Sequence, residues 1–211
     1  LRMAGADAVW AIPDRDSDGY GLGPAAVDRL AADGAKVVVT VDNGVSAIPA
    51  VERAVALGLD VIVTDHHLPG AELPPAFAIV NPHRRDAGDA GMGLCGCALA
   101  FKTAWAVAER LRGAATGEKA DAFRAFLRDA VGLVALATIS DVVPLRGENR
   151  ILVSAGLSSL RASEHPGIRA LLETTRLGDL PITAEDVAFK IAPRLNAAGR
   201  LSRPELVIDL L

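Results

Sequence analysis

Two adjacent histidines, His66 and His67, follow Asp65 at the end of an apolar run in VIVTDHHLPG (61–70), in a chain that has only four histidines. Imidazole and carboxylate together suit divalent Mn2+, Mg2+ or Zn2+. A second carboxylate, Asp42, stands in the same relation to the run KVVVTV (36–41), and a third, Asp141, follows GLVALATIS and precedes VVPL. A carboxylate held beside so apolar a segment is costly without a partner, and metal coordination is one remedy. Singly, each has an ordinary reading. Asp42 in VDNG is a turn residue, the histidines a surface pair, and Asp141 a polar helix end. Their joint placement after apolar runs is what points to a metal site. A decoy lies upstream: DRDSDG (14–19) has the D-x-D-x-D-G form of a calcium loop. Its twelfth position is Ala25 where an EF-hand needs a bidentate Glu, and Pro13 precedes it where a helix should.

The elements that must position these groups alternate. DAVWAI (7–12), KVVVTV (36–41), DVIVT (60–64) and FAIV (77–80) read as strands, the second as one buried on both faces. Residues 23–34 read as a helix with Pro24 near its start and Gly34 past its end. Residues 46–58 read as another, with Ser46 as N-cap and Pro49 in the first turn. Such alternation implies an α/β fold, a parallel sheet with flanking helices and right-handed crossovers. Ligands bind at the carboxyl rim of such a sheet. Asp42 and the Asp65-His66-His67 triplet both fall there, so they should face one another. After residue 93 the pattern becomes helical: 94–112, 121–140, 148–163, about 165–174 and 183–191, with GAATGEKA (113–120) as a link. The expected division is an α/β part over 1–92 and a largely helical part over 93–211.

Composition sets the class. The chain has 211 residues, 51% hydrophobic and 23% charged, which is a globular balance. Aromatic residues make up only 4%, so the core must be aliphatic. A net charge of −4 excludes a uniformly basic nucleic-acid binder but leaves room for a local patch. From Val187 to Pro204 there is no acidic residue, while Lys190, Arg194, Arg200 and Arg203 are present, a pattern suited to phosphates. The two cysteines, Cys95 and Cys97, read as small core residues rather than ligands. No apolar run is long enough for a membrane span and no signal peptide is visible, which points to the cytoplasm. The chain opens on LRMAGADAVW and closes on PELVIDLL, an unfinished helical pattern, and both ends read as cuts.

VTVDNG, VIVTDHHLPG…LPPAFAIVNP, ISDVVPLRGENR and PRLNAAGRL together resemble the DHH phosphoesterase superfamily and, within it, the RecJ-type single-strand-specific 5′→3′ exonuclease family. The resemblance runs nearly end to end and in order. It places DRDSDG in the segment between the family's first and second motifs. It also implies that the first acidic motif, the C-terminal Gly-Gly-His domain and the oligonucleotide-binding domain lie outside this chain. The implied activity is two-metal phosphodiester hydrolysis with Mn2+ or Mg2+, the cations ~3.5–4 Å apart and acting on both attacking and leaving oxygens. The resemblance makes Asp42 the bridging ligand, with His66 and Asp141 completing one metal's shell. His67 would act at the scissile phosphate, and Asp65 would orient the histidines. It places Arg194, Asn196 and Arg200 near single-stranded DNA, with Arg15 and Tyr20 for backbone contact and base stacking. The expected state is a monomer, nearly inactive alone. Other readings are a DHH phosphoesterase of short oligonucleotides or cyclic dinucleotides, and a non-catalytic scaffold.

Overall fold

β-branched runs at 37–41 and 60–64 pair in parallel, and the short segment Ala78–Val80 extends the sheet, in the computed structural model of the chain. The structure describes residues 1–13, 21–88, 91–112, 118–178, 180–200 and 204–211. These form two compact units, Pro13–Ala100 on one side and Leu1–Ile12 with Phe101–Leu211 on the other.

In the first unit the order is α1 (Pro24–Ala32), β1 (Val37–Val41), α2 (Ile48–Ala56), β2 (Asp60–Thr64) and β3 (Ala78–Val80), and the strands stand side by side as β1-β2-β3. Val38 of β1 pairs with Val61 of β2, and Val63 with Ile79 of β3. Val27 of α1, Ala50, Val51 and Ala54 of α2, and Val38, Val61 and Val63 of the sheet form one buried cluster. Side chains alternate faces along a strand, so β1 sends Val38 into that cluster, buries Thr40 on the same face and turns Val37, Val39 and Val41 away, at 50%, 38% and 49% exposure. Burial of KVVVTV on both faces is therefore not found, because α1 and α2 cover a single face. Ser46 does not cap α2 either. A turn closed by Ala47 N–H on the Gly44 carbonyl (3.0 Å) carries the chain in, and Ala47 is the N-cap residue, with no side-chain cap.

In the second unit a 3-10 turn (Arg2–Ala4) leads into residues 7–12, which form no strand. Strand propensity needs a partner strand to act on, and among the described residues none pairs with this segment. Val9 is 80% exposed. The helices are α3 (Gly96–Arg112), which begins in the first unit, then α4 (Glu118–Ser140), α5 (Gly147–Ala162), α6 (Pro166–Thr174), α7 (Ala184–Asp186), α8 (Ala192–Arg200) and α9 (Glu205–Leu210). α4 and α5 pack closely because small residues face each other. A Cβ on Gly156 would lie 2.5 Å from the Ala135 methyl and closer still to the Val131 carbonyl. Ala135, Leu136, Ile139, Val153, Leu160 and Leu171 lead the core here. The helix expected over 183–191 is split. A capping box of Thr183 and Asp186 starts α7, and a π-helical turn (Val187–Ile191) joins it to α8. Pro193 has no N–H to give the Phe189 carbonyl and its ring crowds that oxygen, which accounts for the wider turn. No described helix is long and apolar enough to cross a membrane.

Candidate metal centre

The parallel ladder continues past the strand ends, and that continuation builds the site. Asp42 N–H donates to the Thr64 carbonyl at 2.9 Å, and Asp65 N–H to the Val80 carbonyl at 3.1 Å. The buried Thr64 hydroxyl donates to the Thr40 carbonyl at 2.6 Å, locking β1 to β2 at the rim. Immediately beyond, Asp42 takes a left-handed backbone conformation (φ 64°), unusual for a residue with a Cβ. The turn after it is held by the Thr40 hydroxyl on the Asn43 carbonyl at 2.6 Å, and Gly44, at φ 109°, completes it.

That geometry aims the Asp42 carboxylate at His66, whose Nε2 lies 3.1 Å from Oδ1. The His66 and His67 rings are tilted at 56° with centroids 4.6 Å apart. Asp42, His66 and His67 each offer one ligand atom, and the three atoms lie within 4.8 Å of one another. Two imidazoles and a carboxylate converging at this spacing fit a divalent cation.

Asp65 is the internal support of this cluster. It is 1% exposed. Oδ1 accepts from the His67 ring (Nδ1 at 2.7 Å) and from His67 N–H at 3.2 Å, while Oδ2 accepts Val45 N–H at 3.0 Å. Burial pushes its pKa up, but the hydrogen bonds from Val45 and His67 outweigh burial and hold it below the usual carboxylate value. An ionised Asp65 fixes the proton of His67 on Nδ1 and leaves Nε2 with a lone pair, the arrangement seen when a carboxylate backs a ligating histidine. Asn81 fastens the same loop from β3. Its amide donates to the His67 carbonyl at 2.9 Å and its Oδ1 accepts His83 N–H at 2.7 Å.

Of the two cysteines Cys95 is buried. Burial, then the neighbouring Cys95 and Asp42, push the Cys97 thiol up to about 12, so it stays protonated. Asp141 directly follows α4 in the second unit, exposed, with its N–H on the Ala137 carbonyl at 2.9 Å. Arg194 and Asn196 are exposed on α8, and Arg194 donates to the Lys190 carbonyl at 2.6 Å. The basic window is weaker than its sequence: Lys190 pairs at 2.7 Å with Asp186, one residue upstream of the stretch free of acids. Arg15, Tyr20, the DRDSDG cluster and the Arg200 side chain lie outside the described residues.

Sequence reasoning did not single out Asn81, Val45 or Gly96. Asn81 had a signal, as the first polar residue after a strand end. Val45 contributes through its backbone and Gly96 by having no side chain, and neither leaves a local trace.

A parallel sheet carrying Asp42 and the Asp65-His66-His67 triplet on its carboxyl rim defines an α/β protein with a candidate metal site. The profile of the DHH family, N-terminal domain, matches residues 1–138, and the chain belongs to that family. It is 45% identical over 213 residues to the single-stranded-DNA-specific exonuclease RecJ of Escherichia coli, covering all of this chain and 37% of that protein. To the enzyme of the same name in Dickeya dadantii it is 43% identical, over 99% of this chain and 36% of the relative. The chain thus spans a little over a third of the length of these relatives. Its backbone matches a crystal structure of exonuclease RecJ bound to manganese with a TM-score of 0.81 and 35% identity, covering 96% of this chain and 48% of that one.

Proposed function

We propose that this chain carries the metal centre of an exonuclease that hydrolyses single-stranded DNA from 5′ to 3′ with Mn2+ or Mg2+. The observation that carries the reading is the cluster of Asp42, His66 and His67 at the sheet rim, with ligand atoms within 4.8 Å. The likeness to RecJ enzymes, one of them bound to manganese, supports the same substrate and metal.

A bound divalent cation supplies activation of water and neutralises charge at the phosphodiester. The chain's own residues do the rest. Asp42 and His66 would hold the cation. Asp65 keeps the His67 proton on Nδ1, so the opposite nitrogen serves either as a ligand or as a contact to the scissile phosphate. Arg194 and Asn196, with Arg15, Tyr20 and Arg200, bind the DNA strand. The protein works as a monomer in the cytoplasm. Turnover by this chain alone is slow, because one three-residue cluster, among the described residues, serves one cation rather than two.

The test pairs calorimetric titration with Mn2+ and a nuclease assay on 5′-labelled single strands, duplexes and dinucleotides. The expected result is saturable Mn2+ binding and slow release of label from single strands only. Absence of Mn2+ binding, or equal release from duplex DNA, overturns the reading. Cleavage of dinucleotides without cleavage of long strands replaces it with a small-oligonucleotide phosphoesterase.

A further inference from the structure

We infer that Gly96, the first residue of α3, is a positioning residue for Asp42: its missing side chain makes the room in which the carboxylate is set against His66. This rests on the metal-centre reading above. Asp42 is the geometric key of the cluster, yet its side chain is 52% exposed. An exposed aspartate ordinarily samples several rotamers. Here three features restrict it. The left-handed backbone at Asp42 fixes where its Cβ points. His66 Nε2 stands 3.1 Å from Oδ1 on one side. On another side stands the backbone of Gly96. A methyl group placed on Gly96 would lie 2.5 Å from both Cβ and Cγ of Asp42, and closer still to Oδ1.

The nature of that overlap matters. A clash with the far end of a flexible chain is relieved by a rotamer change. A clash with Cβ is not, because Cβ moves only with the backbone. Any side chain at 96 must therefore shift the β1–α2 turn, shift the start of α3, or swing the carboxylate away from His66. Gly96 itself is not in a left-handed conformation, so the requirement is for space and not for backbone freedom. The first turn of a helix also carries unpaired N–H groups and the positive end of its dipole, which favours a carboxylate beside it. Gly96 is the first residue inside the helix, one past the N-cap position, so capping does not account for it.

The experiment uses the 211-residue chain and has two readouts. The first is a double-mutant cycle on thermal stability without metal, pairing Gly96→Ala with Asp42→Gly. Removing the Asp42 side chain removes the three atoms that the new methyl would meet most closely. The expected result is that Gly96→Ala lowers the melting temperature by several degrees in the parent and by almost nothing in the Asp42→Gly background. An equal loss in both backgrounds shows that Gly96 serves α3 alone and overturns the inference. The cycle also covers a Gly96→Ala variant that fails to fold, since Asp42→Gly must then rescue it. The second readout is Mn2+ affinity by calorimetry. Gly96→Ala should weaken binding by about tenfold, the scale of changes just outside a metal's ligands. Gly156→Ala, an equally crowded glycine in the α4–α5 contact, should leave the affinity unchanged. Unaltered affinity in a folded Gly96→Ala variant overturns the positioning role. If the parent itself binds no Mn2+, the metal-centre reading fails, while the stability cycle still decides whether Gly96 makes room for Asp42.

Discussion

At the scale of single residues, the site sets stability against function. Asp42 holds a left-handed conformation that most side chains avoid, at a cost on the order of 1 kcal/mol. Asp42→Gly is expected to abolish Mn2+ binding in a calorimetric titration. It should at the same time raise the melting temperature of the metal-free protein by a few degrees, because glycine adopts this φ freely. A variant that binds Mn2+ as the parent does would remove Asp42 from the ligand set. Asp65 shows the opposite balance. Its buried carboxylate satisfies Val45 N–H, His67 N–H and the His67 ring together. Asp65→Asn turns one acceptor into a donor that faces donors already in place. Leaving buried groups unpaired costs about 1–3 kcal/mol, and urea denaturation should show a loss of that size. The same change frees the His67 ring to choose its tautomer, so NMR of the imidazole nitrogens should show Nδ1 losing its fixed proton.

At the scale of elements, helix ends and helix contacts carry their own tests. The Lys190 ammonium, and after it the Thr183–Asp186 capping box, hold the Asp186 carboxyl down to about 2. A carboxylate lowered in the folded state contributes stability that is complete above its unfolded pKa, near ~4. That contribution is lost as pH falls through the folded value. Thermal melts of the parent and Asp186→Asn should therefore differ by a constant amount above pH ~5 and converge as pH approaches about 2. A gap that persists undiminished at low pH would mean that the box acts through shape and not charge. In the α4–α5 contact, Gly156→Ala forces a methyl against Ala135 and the Val131 carbonyl. Overpacking of this kind costs about 1–3 kcal/mol, measurable by urea denaturation.

At the scale of the whole molecule, the two compact units have separate aliphatic cores, one around Val38, Val51 and Val63 and the other around Leu136, Val153 and Leu171. The ligand cluster of Asp42, His66 and His67 belongs to the first. A ligand that binds only the folded state stabilises by about 2.7 kcal/mol at 100 times its dissociation constant. Hydrogen exchange of the β1 and β2 amides should then slow by about 100-fold in Mn2+, with a smaller change in α4 and α5. Uniform slowing of both would show that the units open together. No slowing in either would mean that the cluster holds no cation.

How much of this was legible beforehand depends on how far each feature reaches along the chain. β-branched runs and 3.6-residue periodicity are local, so β1, β2, α4 and α5 stood in the sequence to within a few residues, and so did the position of Asp42, Asp65, His66 and His67 at strand ends. A strand without a partner is not local, and DAVWAI, with every mark of a strand, forms none. Whether a face is covered is not local either. KVVVTV carries valines on both faces, but of its valines only Val38 is buried, in the cluster with α1 and α2. The Asp186–Lys190 pair was within reach but fell one residue outside the basic window. Three features of the site needed the fold. Val45 offers its N–H to a carboxylate twenty residues away, Asn81 reaches back fourteen to the His67 carbonyl, and Gly96 leaves space for a side chain 54 positions upstream. The residue types for a metal site were set by the sequence. Their convergence was decided by tertiary structure, because it depends on backbone groups and on empty space, and neither is encoded in the identity of the residues that do the chemistry.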